Sequence, residues 1–327
     1  NSFYASCERI FRPDIGSRPV VVLSNNDGCI IAMDRKAKES GIKRGTPYFQ
    51  VKADLAAAQA AVFSSNYTLY QDISNRIMEI LNRHVKSIET YSIDEAFLFL
   101  NDNRIPLEEL GRLIREDVSL STGVPVSIGF GRTKTLAKIA NRLAKNRPGT
   151  GGICHLREEE EAQVLASVNV LDVWGVGRRK TAFLLRHGIR TALQLRDAPD
   201  YWVRKHLTTT SLNTVWELRG RPSIQEELNT PSKQMILSSL SFSRPVRDAE
   251  TLEEAVSRYA ATAVRKLTAQ RSEAAGVTVF IHTHRYKEPF FSGSREIVFE
   301  RPTAYLPDII RCAIGGLRSV YRPGYDY

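Results

Sequence analysis

The sequence contains few of the residues that build disulfide-linked, metal-bound or membrane-spanning proteins. Its 327 residues include 4 cysteines, 3 methionines and 3 tryptophans. The cysteines are widely separated and match neither a paired zinc motif nor a disulfide framework. No apolar run approaches the roughly 18 residues that a membrane span needs, and the chain does not open on a signal-peptide pattern. We therefore expect a cytoplasmic protein with no membrane partner and reduced thiols, which are Cys7, Cys29, Cys154 and Cys312.

Positive charge, in contrast, is in excess. The chain has 46 Lys and Arg against 36 Asp and Glu, a formal net charge of +10. This balance favours a polyanionic partner, with nucleic acid first and an anionic membrane surface second. The length predicts two or more domains, and 42% hydrophobic with 25% charged residues is typical of globular proteins.

Patterns of helix and strand alternate over roughly the first 155 residues and predict an α+β or α/β layer domain. Two β-rich runs, 19–23 and 28–32, flank a turn and predict a hairpin. Apolar residues at helical spacing predict an amphipathic helix over 67–85. Two strands, 87–91 and 96–100, are then predicted to join through an acidic turn. Further helices are expected over 107–118 and 133–146, with a strand over 126–130.

The remainder of the chain predicts two more domains. Residues 157–220 are helical in pattern, and the stretch from Asn169 to Gln234 has eleven Lys and Arg against six Asp and Glu. A polar, proline-containing linker follows. From Ile236 we expect a compact α+β unit, with strands at 238–243, 277–283 and 296–299 and helices at 252–267 and 304–317.

The adjacent carboxylates Asp94 and Glu95 stand where two apolar strands meet. Carboxylate oxygens are hard ligands of the kind Mg²⁺ prefers, together with waters and substrate phosphate oxygens. Such a pair is typical of two-metal phosphoryl transfer. The alternative interpretation is a tight acidic turn with both side chains in water.

Four segments taken together resemble one family in their order and spacing, which is the Y family of translesion DNA polymerases. The segments are 1–8, 91–96, 136–145 and 173–177. The resemblance runs from Asn1 to the end of the chain. The sequences of segments 23–29 and 63–67 are similar to those of the UmuC subfamily. It implies an α+β, multidomain right-hand polymerase with palm, small fingers, a helical thumb containing a helix-hairpin-helix, and an α+β little finger. The implied boundaries are 1–9 and 67–156 for the palm, 10–66 for the fingers, 157–222 for the thumb, 223–235 for a linker and 236–327 for the little finger, expected to be cut short at its end.

The resemblance assigns roles to particular residues. Asp94 and Glu95 become catalytic carboxylates and ligands of a site for two Mg²⁺ ions, with Glu95 near the primer 3′-hydroxyl. Tyr4 falls on the steric-gate position, where a ring packed under the sugar leaves no room for a 2′-hydroxyl, and Phe3 packs beside it in the nucleotide-binding segment. The cations that match triphosphate-binding positions are Lys38, where relatives often have arginine, and Lys145.

The family pattern also places a catalytic aspartate two positions before Asn1. A chain that begins at Asn1 is therefore expected to be an impaired enzyme, and the intact gene product is expected to supply that ligand.

DNA-binding residues are expected in the last two domains. The turn before residue 178 resembles a helix-hairpin-helix, whose glycines let the backbone approach a phosphate and whose basic residues add charge. The expected residues there are Gly175, Gly177, Arg178, Arg179 and Lys180. In the little finger, phosphate contacts are expected from Arg244, Arg247, Arg285 and Arg295, although single surface arginines are more often solvated.

The resemblance implies template-directed translesion synthesis during DNA repair and the SOS response, on primer-template DNA with dNTP. The implied protein partners are a UmuD′ dimer, a RecA filament and the sliding clamp. Two alternatives stay open. One is a non-catalytic DNA-binding fragment, which the missing aspartate and the basic thumb favour. The other is a DinB-type lesion polymerase, which should not need UmuD′ or a recombinase filament.

Overall fold

The computed structural model describes residues 2–100, 105–226, 232–242, 244–284 and 287–327. The chain divides into two compact units, Asn1–Thr230 and Pro231–Tyr327. Both units contain helices and strands, so the predicted α+β class is confirmed.

The first unit mixes helices and strands over its first part and is helical thereafter. Its strands are β1 (Val20–Leu23), β2 (Ile30–Met33), β3 (Ala61–Phe63), β4 (Ser87–Ser92), β5 (Glu95–Phe99), β6 (Ile128–Phe130) and β7 (Ile153–His155). Its helices are α1 (Phe3–Ile10), α2 (Arg35–Glu39), α3 (Tyr48–Ala57), α4 (Tyr67–His84), α5 (Leu107–Thr122), α6 (Lys134–Asn146), α7 (Glu158–Ser167), α8 (Arg178–Arg186), α9 (Ala192–Arg196), α10 (Asp200–His206) and α11 (Thr209–Leu218). Two 3₁₀ turns span Pro13–Ile15 and Val170–Asp172.

The predicted hairpin near the N-terminus is present. Strand β1 pairs antiparallel with β2 and parallel with β3, which gives a three-stranded sheet in the order β2-β1-β3. All four residues of β1 are buried. A strand buried on both faces requires a continuous apolar run, as this one has.

The predicted amphipathic helix is also present, as α4. The side chain of Asn66 caps its start by accepting a hydrogen bond from the Leu69 amide. Its buried residues recur at helical spacing and include Ile73, Ile77 and Ile80, which face a core shared with α1 and α5. Helix α4 therefore supports α1, the helix that contains Tyr4.

Helix α6 packs closely on β6 because two glycines leave room for it. A Cβ at Gly129 would overlap the backbone nitrogen of Asn141, and one at Gly131 would lie 2.6 Å from that of Ala137. Any larger residue at either position would push α6 away from the strand. On its other side α6 buries Leu136 and Ile139 in the core of the helical segment, so this helix joins the two parts of the unit.

Glu217 at the end of α11 connects three chain segments. Its side chain is 1% exposed, and Oε2 accepts a hydrogen bond from the Thr135 amide at 3.0 Å. Oε1 accepts from the amides of Ser223 at 2.7 Å and Ile224 at 3.2 Å. Residues 223 and 224 of the predicted linker are therefore held against the first unit.

Replacing Glu217 with alanine is expected to lower the free energy of unfolding by about 3 kcal/mol, since one buried and two part-buried amides would lose their acceptor. Glu217→Gln keeps one amide oxygen as an acceptor and should lose less. Urea denaturation measures both, with Glu116→Ala on the exposed face of α5 as the control. A loss below 1 kcal/mol in the alanine variant would contradict the role given to this carboxylate.

The second unit consists of α12 (Ala249–Ala269), β8 (Ala274–His282), β9 (Ser292–Thr303) and α13 (Leu306–Val320). The two strands pair antiparallel, and Val279, Ala313 and Leu317 are among the residues buried between strands and helices. The predicted strand over 238–243 is wrong for residues 238–242, which belong to no strand, while Ser243 lies outside the described residues. A segment with strand propensity forms a strand only where another strand can pair with it, and the local sequence does not show whether one is there.

Within the part of the chain that the structure describes, no helix has the length and apolarity required to cross a membrane.

Candidate active site

The acidic pair occupies the tight turn of an antiparallel hairpin made by β4 and β5, as the sequence predicted. Asp94 is exposed at the tip of the turn. Its Oδ1 accepts a hydrogen bond from Ser92 Oγ at 2.8 Å, which orients the carboxylate. Because the residue is exposed, a cation can reach this carboxylate from solvent.

Glu95 is placed differently, because a lysine from α6 neutralises it. Lys138 Nζ lies 2.9 Å from Glu95 Oε2, and the two side chains are 18% and 32% exposed. The ammonium also lies 4.5 Å from the ring centroid of Tyr91, 5.5 Å from that of Phe97 and 5.7 Å from that of Trp174. We call these three rings the Lys138 cage.

Tyr4 lies on α1 with its ring held between two other tyrosines. The ring stacks on Tyr70 with centroids 4.3 Å apart and an interplanar angle of 12°, and it meets Tyr67 edge-on at 5.9 Å. Tyr70 is fully buried and donates its hydroxyl hydrogen to Glu8 Oε1 at 2.6 Å. The Tyr4 ring therefore has a rigid support on one face.

Tyr4 and Asp94 lie close enough to interact electrostatically, although ninety positions separate them in the sequence. Burial raises the pKa of the Tyr4 hydroxyl, with smaller contributions in the same direction from Tyr67 and Asp94, while Arg44 lowers it. The site thus includes one end of α1, the acidic turn and a cation from the loop before α3.

The other predicted nucleotide-binding residues have distinct positions. Phe3 is 8% exposed and belongs to the core, where it contacts Tyr4 at 5.9 Å between ring centroids. Lys38 is exposed on α2, and Lys145 is exposed in the last turn of α6. Lys145 stands seven residues after Lys138, two helical turns further along the same face, or roughly 10 Å.

The predicted hairpin motif of the helical segment is a turn that enters α8. Gly175 has φ +83°, a value that favours glycine, and Gly177 is the N-cap of α8 without a side-chain cap. Amides at the start of α8 are therefore available to an anion. Arg178 and Arg179 are exposed beside them, and Lys180 Nζ donates to the Gly175 carbonyl at 3.2 Å.

The predicted arginines of the second unit differ in their surroundings. Arg244 is exposed. Arg247 is paired with Asp326, so a phosphate would have to compete for its guanidinium. Arg295 is exposed, although its register partner Val279 is buried on the side of the sheet that packs on the helices. Arg285 lies outside the described residues.

Reasoning from sequence missed Lys138, Trp174 and Arg44. A signal for the first was available, because Lys134, Lys138 and Lys145 recur on one face of α6. Lys134 pairs with Glu89 at 2.6 Å, and Lys138 pairs with Glu95. The lysine face of α6 therefore lies along the hairpin, from β4 to the acidic turn. The position of Trp174 depends on how the helical segment packs, which no local pattern reveals.

The donor set fits a magnesium site that is completed by substrate. Within the described ranges, no group of three or more His, Cys, Asp or Glu side chains comes together. The turn offers two carboxylates, and Mg²⁺ typically takes one or two carboxylates plus waters and substrate phosphate oxygens.

Comparisons with known proteins show which proteins this chain is similar to. Protein UmuC of Salmonella typhimurium is 43% identical over 333 residues, which cover 100% of this chain and 79% of that protein. DNA polymerase IV 2 of Halalkalibacterium halodurans is 32% identical over 201 residues, 59% of this chain and 48% of that protein. A Y-family DNA polymerase chimera of Dbh and Dpo4 shares the fold with a TM-score of 0.78 at 21% identity, covering 98% of this chain and 91% of its own.

Matches to family profiles cover both ends of the chain. Residues 1–142 match the impB/mucB/samB family, and residues 233–327 match the C-terminal domain of that family. The predicted resemblance is confirmed: the chain belongs to the impB/mucB/samB family, within the Y family of DNA polymerases.

Proposed function

We propose that the chain is a template-directed DNA polymerase that performs translesion synthesis by two-metal phosphoryl transfer, in DNA repair and the SOS response. The observation that supports this most directly is that the Asp94 carboxylate lies within electrostatic range of the Tyr4 ring. A carboxylate suited to divalent cations and an aromatic surface suited to a sugar therefore belong to one region of the first unit, as nucleotide addition requires.

In this proposal the segments have the roles that the family resemblance implies. Residues 1–9 and 67–156 form the palm, 10–66 small fingers and 157–222 the thumb. Residues 236–327 form the little finger after a linker at 223–235. The fingers segment offers a three-stranded sheet with two short helices, α2 and α3, which is little material to close tightly over a base pair. A fingers segment that closes loosely leaves room for a damaged template base.

Asp94 and Glu95 would hold two Mg²⁺ ions, which supply charge stabilisation to the transferring phosphoryl group and activate the attacking hydroxyl. The chain itself supplies position and selectivity. The Tyr4 ring, supported by Tyr70, lies under the sugar of the incoming nucleotide and excludes a 2′-hydroxyl. Lys38 and Lys145 neutralise the triphosphate as point charges.

DNA is held by the thumb turn and the little finger. The free amides at the start of α8 and the side chains of Arg178 and Arg179 bind backbone phosphates without reading the bases. Arg244, Arg247, Arg285 and Arg295 extend this contact in the little finger, where Arg247 must first leave Asp326. Because the contacts are to phosphates, binding is independent of sequence and weakens with salt.

The relatives named UmuC, ImpB, SamB and MucB are bacterial, and we propose that this enzyme acts on the chromosome in a bacterial cytoplasm. Its proposed protein partners are those of the UmuC subfamily, namely a UmuD′ dimer, a RecA filament and the sliding clamp.

Primer extension tests the function. The protein expressed from its complete reading frame is given Mg²⁺, dNTPs and a primer on an undamaged template or on one with an abasic site, with and without UmuD′ and a RecA filament. We expect nucleotide addition opposite the lesion when the partners are present. Duplex binding without any addition would favour a non-catalytic DNA-binding protein, and full activity without the partners would favour a DinB-type enzyme.

Replacing both Arg178 and Arg179 with alanine is expected to weaken duplex binding and to lower the slope of log K against log salt by about 2, since each phosphate contact contributes roughly 0.9. Fluorescence anisotropy over a range of salt concentrations measures the slope. Arg186→Ala, at the other end of α8, is the matched control and should leave the slope unchanged. If Arg186→Ala lowered the slope by the same amount, the start of α8 would not be the phosphate-binding site.

A further inference from the structure

Lys138 has a more constrained environment than a surface ion pair provides. Its side chain is 18% exposed, its ammonium lies 2.9 Å from Glu95 Oε2, and the Lys138 cage surrounds it at 4.5–5.7 Å. Cations over aromatic faces are attracted by the ring quadrupoles, more strongly when they are partly desolvated. The ammonium is therefore held by the rings as well as by the carboxylate.

The cage is built from two separate parts of the first unit. The acidic hairpin supplies Tyr91 and Phe97, and the turn before α8 supplies Trp174. The indole N–H of Trp174 donates to the Tyr91 hydroxyl at 3.1 Å, and the two rings meet edge-on at 5.4 Å. One turn further along α6, Arg142 pairs with Asp172 at 2.7 Å, which ties α6 to the segment just before Trp174. The cage therefore closes only when the thumb turn rests on the hairpin.

We propose that Lys138 is a positioning residue for Glu95, and that Trp174 makes this positioning depend on the thumb turn. The proposal rests on the proposed polymerase function. Because the rings hold the ammonium, the carboxylate that pairs with it has one preferred orientation, in which Oε2 is occupied and Oε1 is left for the primer end or an ion. Because Trp174 precedes Gly175 and Gly177, a duplex held by that turn also stabilises the third wall of the cage.

The test uses Lys138→Met, which keeps an unbranched apolar stem without the charge, and Lys138→Arg, which keeps the charge. The single-turnover rate of nucleotide addition is expected to fall about tenfold in the methionine variant, since small misplacements of a catalytic group are costly. The dissociation constants for duplex and dNTP should stay within about twofold of the parent, because the Lys138 ammonium is already held by Glu95 and the cage. The arginine variant should recover most of the rate. Lys86→Met, on an exposed lysine, is the control.

A second readout does not depend on activity. Titration of the protein–duplex complex with Mn²⁺, followed by electron paramagnetic resonance, is expected to show about three- to tenfold tighter binding in Lys138→Met, because removal of a positive charge beside Glu95 favours a divalent cation. Tighter ion binding together with slower chemistry is not expected from a general loss of structure. Unchanged Mn²⁺ affinity, or an unchanged rate, would overturn the positioning role.

The link to the thumb is tested by a double-mutant cycle. Trp174→Ala should slow addition in the parent and have little further effect in the Lys138→Met background, because the cage acts as a unit. Independent, additive effects would overturn the coupling. If the parent protein extends primers and the Lys138 variants behave like the parent, this inference alone is refuted. If the parent adds no nucleotide, the proposed function is refuted.

Discussion

Replacing Asp94 with asparagine is expected to slow primer extension by about a thousandfold or more. The divalent ions of phosphoryl transfer contribute several kcal/mol of charge stabilisation, and each 1.36 kcal/mol is a factor of ten in rate. Asparagine keeps an oxygen that accepts the hydrogen bond from Ser92 Oγ, so the turn should keep its shape. Single-turnover extension with Mg²⁺ measures the rate.

Two controls separate catalysis from folding and DNA binding. Asp72→Asn, in an exposed ion pair with Arg76 on α4, should leave extension unchanged because such surface pairs contribute little. Duplex binding by the Asp94 variant should equal that of the parent, because the proposed DNA contacts lie elsewhere. An Asp94→Asn protein whose rate falls by less than tenfold would refute the assignment of this carboxylate as a metal ligand.

Replacing Tyr4 with alanine is expected to reduce discrimination against ribonucleotides by about a hundredfold, in the range that one group in a binding pocket can supply. Removal of the ring opens the space that a 2′-hydroxyl would need, and Tyr70 does not move into that space because its hydrogen bond to Glu8 fixes it. The ratio of the addition efficiencies for dNTP and rNTP, measured side by side, reports the effect.

Tyr4→Phe is the matched control for this prediction. Phenylalanine keeps the stacked ring and loses only the hydroxyl, so it should keep the discrimination if the ring itself acts as the gate. Burial raises the pKa of that hydroxyl, so in the parent it stays protonated at the neutral pH of the assay and sugar selectivity should not change between pH 7 and pH 9. Equal sugar selectivity in the alanine variant and the parent would remove Tyr4 from this role.

Much of the local structure was predictable because it depends on short-range patterns. The hydrophobic spacing of α4 and the paired strands around Asp94 repeat at 3.6 and 2 residues, and side chains at these periods share one face. The predicted strand over 238–243 is wrong for its described residues, because apolar and β-branched composition does not show whether another strand is available to pair.

The candidate site also combines features that the sequence predicted with features that depend on tertiary packing. The acidic turn and the aromatic pair at Phe3 and Tyr4 could be identified from residue type and from resemblance to a family. The pairing of Glu95 with Lys138 could not, because it joins residues 43 positions apart and depends on the packing of α6 on β6 at Gly129. The stacking of Tyr70 on Tyr4 could not be predicted either, since Tyr70 lies on the buried face of α4 and its sequence pattern is that of an ordinary core residue.

The family, the α+β class, the acidic turn and the net positive charge could all be read from the amino-acid sequence, because each depends on composition, periodicity or a short motif. The folded chain was needed to identify the cation that neutralises Glu95, the rings that surround this cation, and the way Glu217 holds the segment after α11. These contacts form between segments far apart in the chain, and they depend on helix packing distances and burial that no local pattern specifies.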